Sequence, residues 1–543
     1  MDSPSKLKSQ DSFKVRSDWP ASLLLLVIYF SVHLLYFHHL GRFIIDSGKE
    51  VMAPLLLLDG SVLYRDVFWL YGPWAPYFNA LMYGLFGVHL DVLIWVAKLL
   101  GAGVVIGVYR CLRHLVSAAS AFTGALCVLA FSTTSVYFAW PYSFSNLWAT
   151  CLALFAIDGL TRWQATSDKR HLVISILCTS IIACAKFVIA LPILAAVWAL
   201  IFLERKNRAA VPSAAKQPDL PSALGYSLAV IAVFVLITWF FSTFTSPESY
   251  RLQAGAGFHA RHLVMAELYD RLVETAFLVN GLTFESIAAA AGIWLCLGSV
   301  LFGLLTWLYF WRHDPARRTA LLLHVPTYVF AAGNLLQMNS SVHAPYVFPA
   351  SAVLLFSSLE LWRSRSPGFF WRQRAVLGLT GGVVAFCVLL GLGRLLKLRA
   401  TPFAVTSANF EFQWPNANGK ILQDLASDIR QQTLPQDKII IFTTYDYLYL
   451  LCERKPALGY FYTWYEAFHD PAAALKVQQT LQSAEVTLCV THLREPFSLA
   501  FAPHYRSHPV YQTLRKNFEP QIDRQRWGEF IVWKKKPPVQ SNP

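Results

Sequence analysis

Asp46-Ser47-Gly48-Lys49-Glu50, then Gly60-Ser61-Val62-Leu63-Tyr64-Arg65-Asp66, then Tyr71-Gly72-Pro73-Trp74-Ala75-Pro76-Tyr77 form a short polar stretch between long apolar runs. It gathers carboxylates, cations and aromatics, and such loops carry function more often than spans do. The rest of the chain reads as the frame that holds this stretch at a membrane surface.

The 543 residues are 55% hydrophobic and 14% charged, with a mean hydropathy of +0.42. Apolar runs this long and this frequent define an α-helical polytopic membrane protein. The net charge of +14 has a topological cause, because cytoplasmic loops collect Lys and Arg; nucleic acid is not expected as a partner. The nine cysteines show no CxxC or metal-ligand spacing and read as small apolar residues. Cys452 and Cys489 lie in the polar tail, where they could meet in a disulfide or stay free buried thiols, the preferred reading.

Upstream, residues 1–20 carry Lys6, Lys8, Lys14 and Arg16 and are expected in the cytoplasm. The apolar run 21–40, about 20 residues, is long enough to cross a bilayer. With it, the runs 92–109, 118–136, 144–160, 172–185, 187–203, 224–241, 287–310, 320–336, 346–361 and 375–396 predict about 11 spans. Basic clusters at Arg110/Arg113, Arg162/Lys169/Arg170, Arg205/Lys206/Arg208, Arg312/Arg317/Arg318 and Arg363/Arg365/Arg372/Arg374 fall on the predicted cytoplasmic side. The runs 172–185 and 187–203 meet at Lys186 with almost no loop, which predicts a tight hairpin at the outer face or one re-entrant segment. Residues 261–278 have the spacing of an amphipathic surface helix.

Three regions result: a cytoplasmic N-terminus (1–20), a transmembrane domain (21–396) with its first outer loop at 41–91, and an extracytoplasmic mixed α/β domain (397–543). In the last, 420–431, 472–482 and 510–518 read as helices, and Lys438-Ile-Ile-Ile-Phe-Thr, Val486-Thr-Leu-Cys-Val and Phe530-Ile-Val-Trp as strands.

Asp46, almost directly after the first span, suits a general base or a metal ligand, and Glu50 shares its face if the segment is helical. It equally suits the N-cap of a juxtamembrane helix with Glu50 in the first turn. Asp66 adds a carboxylate. Arg65 matches phosphate oxygens bidentately, and Lys186 is a second cation for a phosphate at the outer face. Tyr64, Trp69, Tyr71, Trp74 and Tyr77 fit stacking on a sugar or an interfacial aromatic belt. His343 and Tyr346, with Asn334, Gln337 and Asn339, cluster where two spans meet outside and fit either substrate contact or a hydrogen-bonded hairpin.

An Asp-containing loop after the first span, then Gly60-Ser-Val-Leu-Tyr-Arg-Asp66, Trp69-Leu-Tyr-Gly-Pro-Trp-Ala-Pro-Tyr77 and Gly84-Leu-Phe-Gly87, resembles the first outer loop of bacterial GT-C glycosyltransferases. That superfamily includes the protein mannosyltransferases and the lipid A aminoarabinose transferases. Ala426-Ser-Asp-Ile-Arg430, Leu434-Pro-Gln-Asp-Lys-Ile-Ile-Ile-Phe442, Tyr449-Leu450 and Arg454-Lys-Pro-Ala457 are similar to the segment after the last span of many members.

The resemblance implies transfer of a sugar, with inversion, from a polyprenyl-phosphate donor to a lipid, glycan or protein acceptor at the outer face of the cytoplasmic membrane. Asp46 takes the place of the catalytic first-loop Asp. Ser47 stands where many relatives carry a second acid, with Glu50 or Asp66 as the substitute, so that a divalent cation held by Asp46 and Glu50 is optional. The rival class is a membrane transporter or lipid flippase. Against it stand the large outer domain and the absence of two matching halves with broken helices.

Overall fold

The computed structural model describes residues 19–39, 41, 46–208, 220–244, 275–276, 284–314, 318–335, 343–365, 370–399, 403–414, 418–443, 445–459, 471–493 and 507–537. Of Asp46 it describes the backbone. The expected surface helix at 261–278 lies outside these residues except at Thr275 and Ala276, as do Gln337 and Asn339.

The membrane part is a bundle of helices: α1 (Trp19–Leu35), α2 (Asp46–Leu58), α3 (Trp74–Phe86), α4 (Leu90–Arg113), α5 (Ala118–Val128), α6 (Phe144–Thr166), α7 (Lys169–Arg208), α8 (Leu220–Phe244), α9 (Phe284–His313), α10 (Arg318–Leu322), α11 (Val325–Leu335), α12 (Ala344–Arg365) and α13 (Phe370–Arg399). Among the described residues, seven helices are long and apolar enough to cross a membrane in one piece, and Trp19–Leu35 and Ala118–Thr133 are shorter apolar helices. The sequence predicts about 11 spans. The difference comes from these two short helices, from the pair α10 and α11 that breaks at His324, and from α7.

α7 joins two helices across a kink at Lys186, whose φ of −157° and ψ of 86° are not helical. Ser175 and Thr179 bond the Tyr226 hydroxyl at 2.9 and 2.5 Å, while the Trp198 indole donates to Ser227, the next residue of α8, at 3.1 Å. In a straight helix Thr179 and Trp198 would lie about 28 Å apart. The chain therefore doubles back at Lys186, as a hairpin there requires.

A π-helical turn, Leu129–Thr133, follows α5. Its widened ring exposes carbonyls, and Arg394 of α13 donates to that of Phe131 at 2.5 Å. At the other end of the bundle, buried Asp158 of α6 accepts from Arg110 at 2.7 Å and from Arg162 at 3.1 Å, with His114 at 2.7 Å. Two of the cations counted for topology are thus turned inward on one carboxylate.

Beyond α13 lie a two-stranded antiparallel hairpin, β1 (Phe403–Ser407) and β2 (Phe410–Trp414), then α14 (Asn418–Gln432), β3 (Lys438–Phe442), α15 (Leu448–Cys452), β4 (Lys455–Pro456), α16 (Pro471–Gln482), β5 (Val486–His492), α17 (Pro509–Asn517), β6 (Phe518–Gln521), α18 (Arg524–Trp527) and β7 (Phe530–Lys535). The main sheet has the order β4-β3-β5-β7-β6, with β3 parallel to β4 and β5 and with β7 antiparallel to β5 and β6. This is the expected mixed α/β unit. The β1–β2 hairpin is an addition to it, pinned to the bundle where the Gln413 amide donates to the His38 carbonyl at 3.0 Å. Cys452 and Cys489 are both buried and free.

Candidate active site

The stretch expected as a polar loop is helical at both ends and a turn between them. α2 runs from Asp46 and keeps Gly48 and Pro54 within it. Pro54 and Gly48 are poor helix residues, so tertiary contact rather than propensity sets this helix. Ser47, Lys49 and Glu50 are all buried. The reason lies in the C-terminal unit: a Cβ added at Gly48 would stand 2.4 Å from the Asp446 Cβ and 2.9 Å from its backbone. Asp446, in the loop after β3, is itself fully buried.

Between α2 and α3 the chain makes a compact turn. Tyr64 adopts a left-handed φ of 68°, its amide donates to the Val67 carbonyl at 2.8 Å, and its hydroxyl donates to the Tyr71 carbonyl at 2.6 Å. Trp69 Nε1 donates to the Gly72 carbonyl at 3.2 Å. Tyr64 and Trp69 are each 1% exposed, so both are pillars of the turn. As sugar-stacking surfaces they do not serve, because their rings are already covered.

Arg65 and Asp66 bond each other, at 2.7 Å between Nη2 and Oδ2, which is the ion-pair reading of these two residues. Asp66 also accepts from the Val62 amide at 2.8 Å. The Arg65 hydrogen bonds, with that amide, outweigh burial and lower the Asp66 carboxyl below the usual range.

The half-buried Tyr71 ring is where the cations meet. Lys186 Nζ lies 5.5 Å from its centre and Lys49 Nζ 5.0 Å. Lys49 is also 5.8 Å from the Trp69 ring, and Lys186 donates to Asn146 Oδ1 at 2.5 Å. The Gly72 amide ties this turn to the α7 hairpin through the Ala185 carbonyl at 3.0 Å. Two ammonium groups around one aromatic ring make a positive, partly shielded cluster. The sequence assigns Lys49 no role; its place next to Glu50 in the chain gives no sign that it meets Lys186.

Trp74 stacks on Phe78 and meets Trp148 edge-on at 5.6 Å, and Tyr77 is 39% exposed beside Phe241. Tyr346 is 4% exposed; its hydroxyl bonds the Tyr137 carbonyl, and its own carbonyl accepts from Asn334 at 3.4 Å. That is the hydrogen-bonded hairpin reading. His343 is half-buried at the entry to α12.

Among the described residues no group of three or more His, Cys, Asp or Glu side chains is arranged to hold a metal. Of the two carboxylates named for a cation, Glu50 is buried in α2 and the Asp46 side chain lies outside the described residues.

No protein-family model matches the chain, and no curated protein matches it in sequence. Solved structures do match in fold. ArnT from Cupriavidus metallidurans bound to undecaprenyl phosphate aligns with a TM-score of 0.58 at 11% identity, over 97% of this chain and 100% of that one. The Archaeoglobus fulgidus oligosaccharyltransferase AglB, with an inhibitory peptide and a dolichol-phosphate, gives 0.53 at 12%, over 97% and 74%. The same archaeal enzyme in complex with Zn and sulfate gives 0.52 at 13%, over 87% and 68%. The chain shares the fold of these membrane transferases, which is the fold expected from the resemblance to GT-C glycosyltransferases.

Proposed function

We propose that this protein is an inverting membrane glycosyltransferase that moves a sugar from a polyprenyl-phosphate donor to a lipid, glycan or protein acceptor. On this reading it lies in the cytoplasmic membrane, with residues 1–20 in the cytoplasm and residues 397–543 outside. The observation that carries the proposal is the pairing of Lys49 and Lys186 on the Tyr71 ring, next to the helical turn that bears Asp46 and Glu50.

A lipid phosphate is a competent leaving group, whereas an acceptor hydroxyl is a poor nucleophile at neutral pH. The site must therefore hold the phosphate, place the hydroxyl on the opposite face of the sugar and accept its proton. Lys186 and Lys49 neutralise the phosphate; Arg65 contributes there only by leaving Asp66. The acceptor oxygen forms a bond to the anomeric carbon as the bond from that carbon to the phosphate oxygen breaks. The departing phosphate keeps the electron pair, and the hydroxyl proton passes to the Asp46 carboxylate. Glu50 and Asp66 position the acceptor. Tyr71, Trp74 and Tyr77 flank the sugar and exclude water, which favours transfer over hydrolysis.

The test is a labelled polyprenyl-phosphate sugar in vesicles reconstituted with the protein and envelope acceptors. A labelled glycolipid, glycan or glycoprotein is the expected product. Label that only changes sides of the bilayer would establish a flippase instead, and no change at all would overturn both.

A further inference from the structure

We infer that Asp446, from the C-terminal unit, is a positioning residue for the first turn of α2. It thereby sets where Asp46 and Glu50 stand, an inference that rests on the glycosyltransfer reading for its catalytic consequence. In an open parallel sheet, ligands bind beyond the carboxyl ends of the strands, near the point where strand order reverses. Here β3 is followed by β4 on one side and then β5 on the other, and the space beyond β3 and β4 is filled by the first outer segment itself.

Three contacts make the seam. Asp446, just past β3, lies against Gly48 so closely that no side chain fits there. Lys455 of β4 bonds Asp59 at 2.7 Å. Gly459, just past β4, accepts from the Phe68 amide at 3.0 Å, and a Cβ on it would stand 2.0 Å from the Asp66 carbonyl oxygen.

Asp446 is fixed from its own side. Its carbonyl accepts from the Tyr449 amide at 3.2 Å, and the Tyr445 amide is held by Thr443 Oγ1 at 3.0 Å. Tyr449 in turn accepts from the Ile441 amide of β3 at 2.7 Å. A buried carboxylate beside the first turn of a helix also meets the positive end of the helix dipole, where the leading amides lack intrahelical partners. Lys49 and Glu50 share that turn, so both the position and the charge of Asp446 bear on it.

The experiment compares the full-length protein with Gly48→Ala, Asp446→Asn and Asp446→Glu, by hydrogen exchange of the peptide covering α2 and by steady-state kinetics. Gly48→Ala and Asp446→Asn should speed exchange in the first turn of α2. Each should lower kcat about 10- to 100-fold, the scale of a small misplacement of reacting groups; the thermal midpoint should hold in Asp446→Asn and fall in Gly48→Ala, whose Cβ would overlap Asp446. Asp446→Glu should restore part of kcat. Asp446→Asn keeps the side-chain size, so it carries the test if Gly48→Ala fails to fold. Wild-type exchange and wild-type kcat in Asp446→Asn would overturn the inference. Should the protein transfer no sugar at all, the exchange arm alone decides about Asp446, independently of the proposed reaction.

Discussion

Lys186 Nζ stands 5.5 Å from the centre of the Tyr71 ring, at the one residue where α7 leaves helical geometry. The turn of the hairpin delivers the ammonium to a ring that Lys49 approaches from another helix. A charge-assisted bond to phosphate contributes about 1.5–3 kcal/mol. Lys186→Ala and Lys49→Ala should each weaken polyprenyl-phosphate binding about 10-fold or more, read by tryptophan-fluorescence titration in detergent. Arg65→Ala should change it less than about 3-fold, because its exposed guanidinium is already bound to Asp66. Unaltered affinity in both lysine variants would remove the phosphate from this wall.

Asp46→Asn keeps shape and removes the proton acceptor. Turnover should fall about 10²-fold or more, the usual scale for a general base, with donor affinity unchanged. Initial rates against donor concentration, with and without chelator, check this. Near-wild-type turnover would release Asp46 from the role, and a rate that collapses with chelator would make it a ligand rather than a base.

Gly72 is held by proximity. A Cβ there would stand 1.9 Å from the Cys184 carbonyl oxygen, and overpacking of this kind costs about 1–3 kcal/mol. Gly72→Ala should lower the thermal unfolding midpoint and weaken donor binding together, since it separates the Tyr71 turn from the α7 hairpin. Gly381→Ala, with nothing within 4 Å of its Cβ, is the control and should unfold no earlier than wild type.

His38 ties the bundle to the β1–β2 hairpin. Its Nε2 bonds Asp91 at 2.8 Å, its Nδ1 lies 3.8 Å from Glu411, and His89 approaches the other Asp91 oxygen at 3.6 Å. Burial lowers the imidazole, but the bond and charge of Asp91 and the charge of Glu411 outweigh it, so the net shift is upward. A raised folded value gives stability that is full below the ordinary value of about 6.5 and is lost as pH rises through the raised one. The midpoint gap between wild type and His38→Gln should therefore be wide at about pH 5.5 and narrow at about pH 9. A gap that does not depend on pH would show that the ionised imidazole plays no part.

Several of these elements are written plainly in the chain. The long apolar runs and the strands at Lys438–Phe442, Val486–His492 and Phe530–Lys535 follow from local pattern. So does the break at Lys186, because a cation between two apolar runs must reach a surface. α2 was only half legible. Gly48 and Pro54 speak for a loop, and what overrides them is Asp446, a residue almost 400 positions away that stands at the end of an apolar strand with no local mark. The same distance hides the burial of Tyr64 and Trp69: aromatics beside polar residues read alike whether they face a sugar or prop a turn. Lys49 was visible, but its partnership with Lys186 depends on how α7 folds back, which no spacing records.

The seam between Gly48 and Asp446 also sets a clock on biosynthesis. Their positions are separated by 398 residues, and at about 5–20 residues per second the ribosome needs roughly 20–80 s to travel from one to the other. On the proposed topology, the turn that bears Asp46 is across the bilayer through that interval without the residue that packs against Gly48. On the proposed reaction, a newly inserted chain stays silent until β3 and the loop after it have emerged and docked, and a ribosome that stalls before β3 leaves membrane helices that cannot act on a lipid-linked sugar.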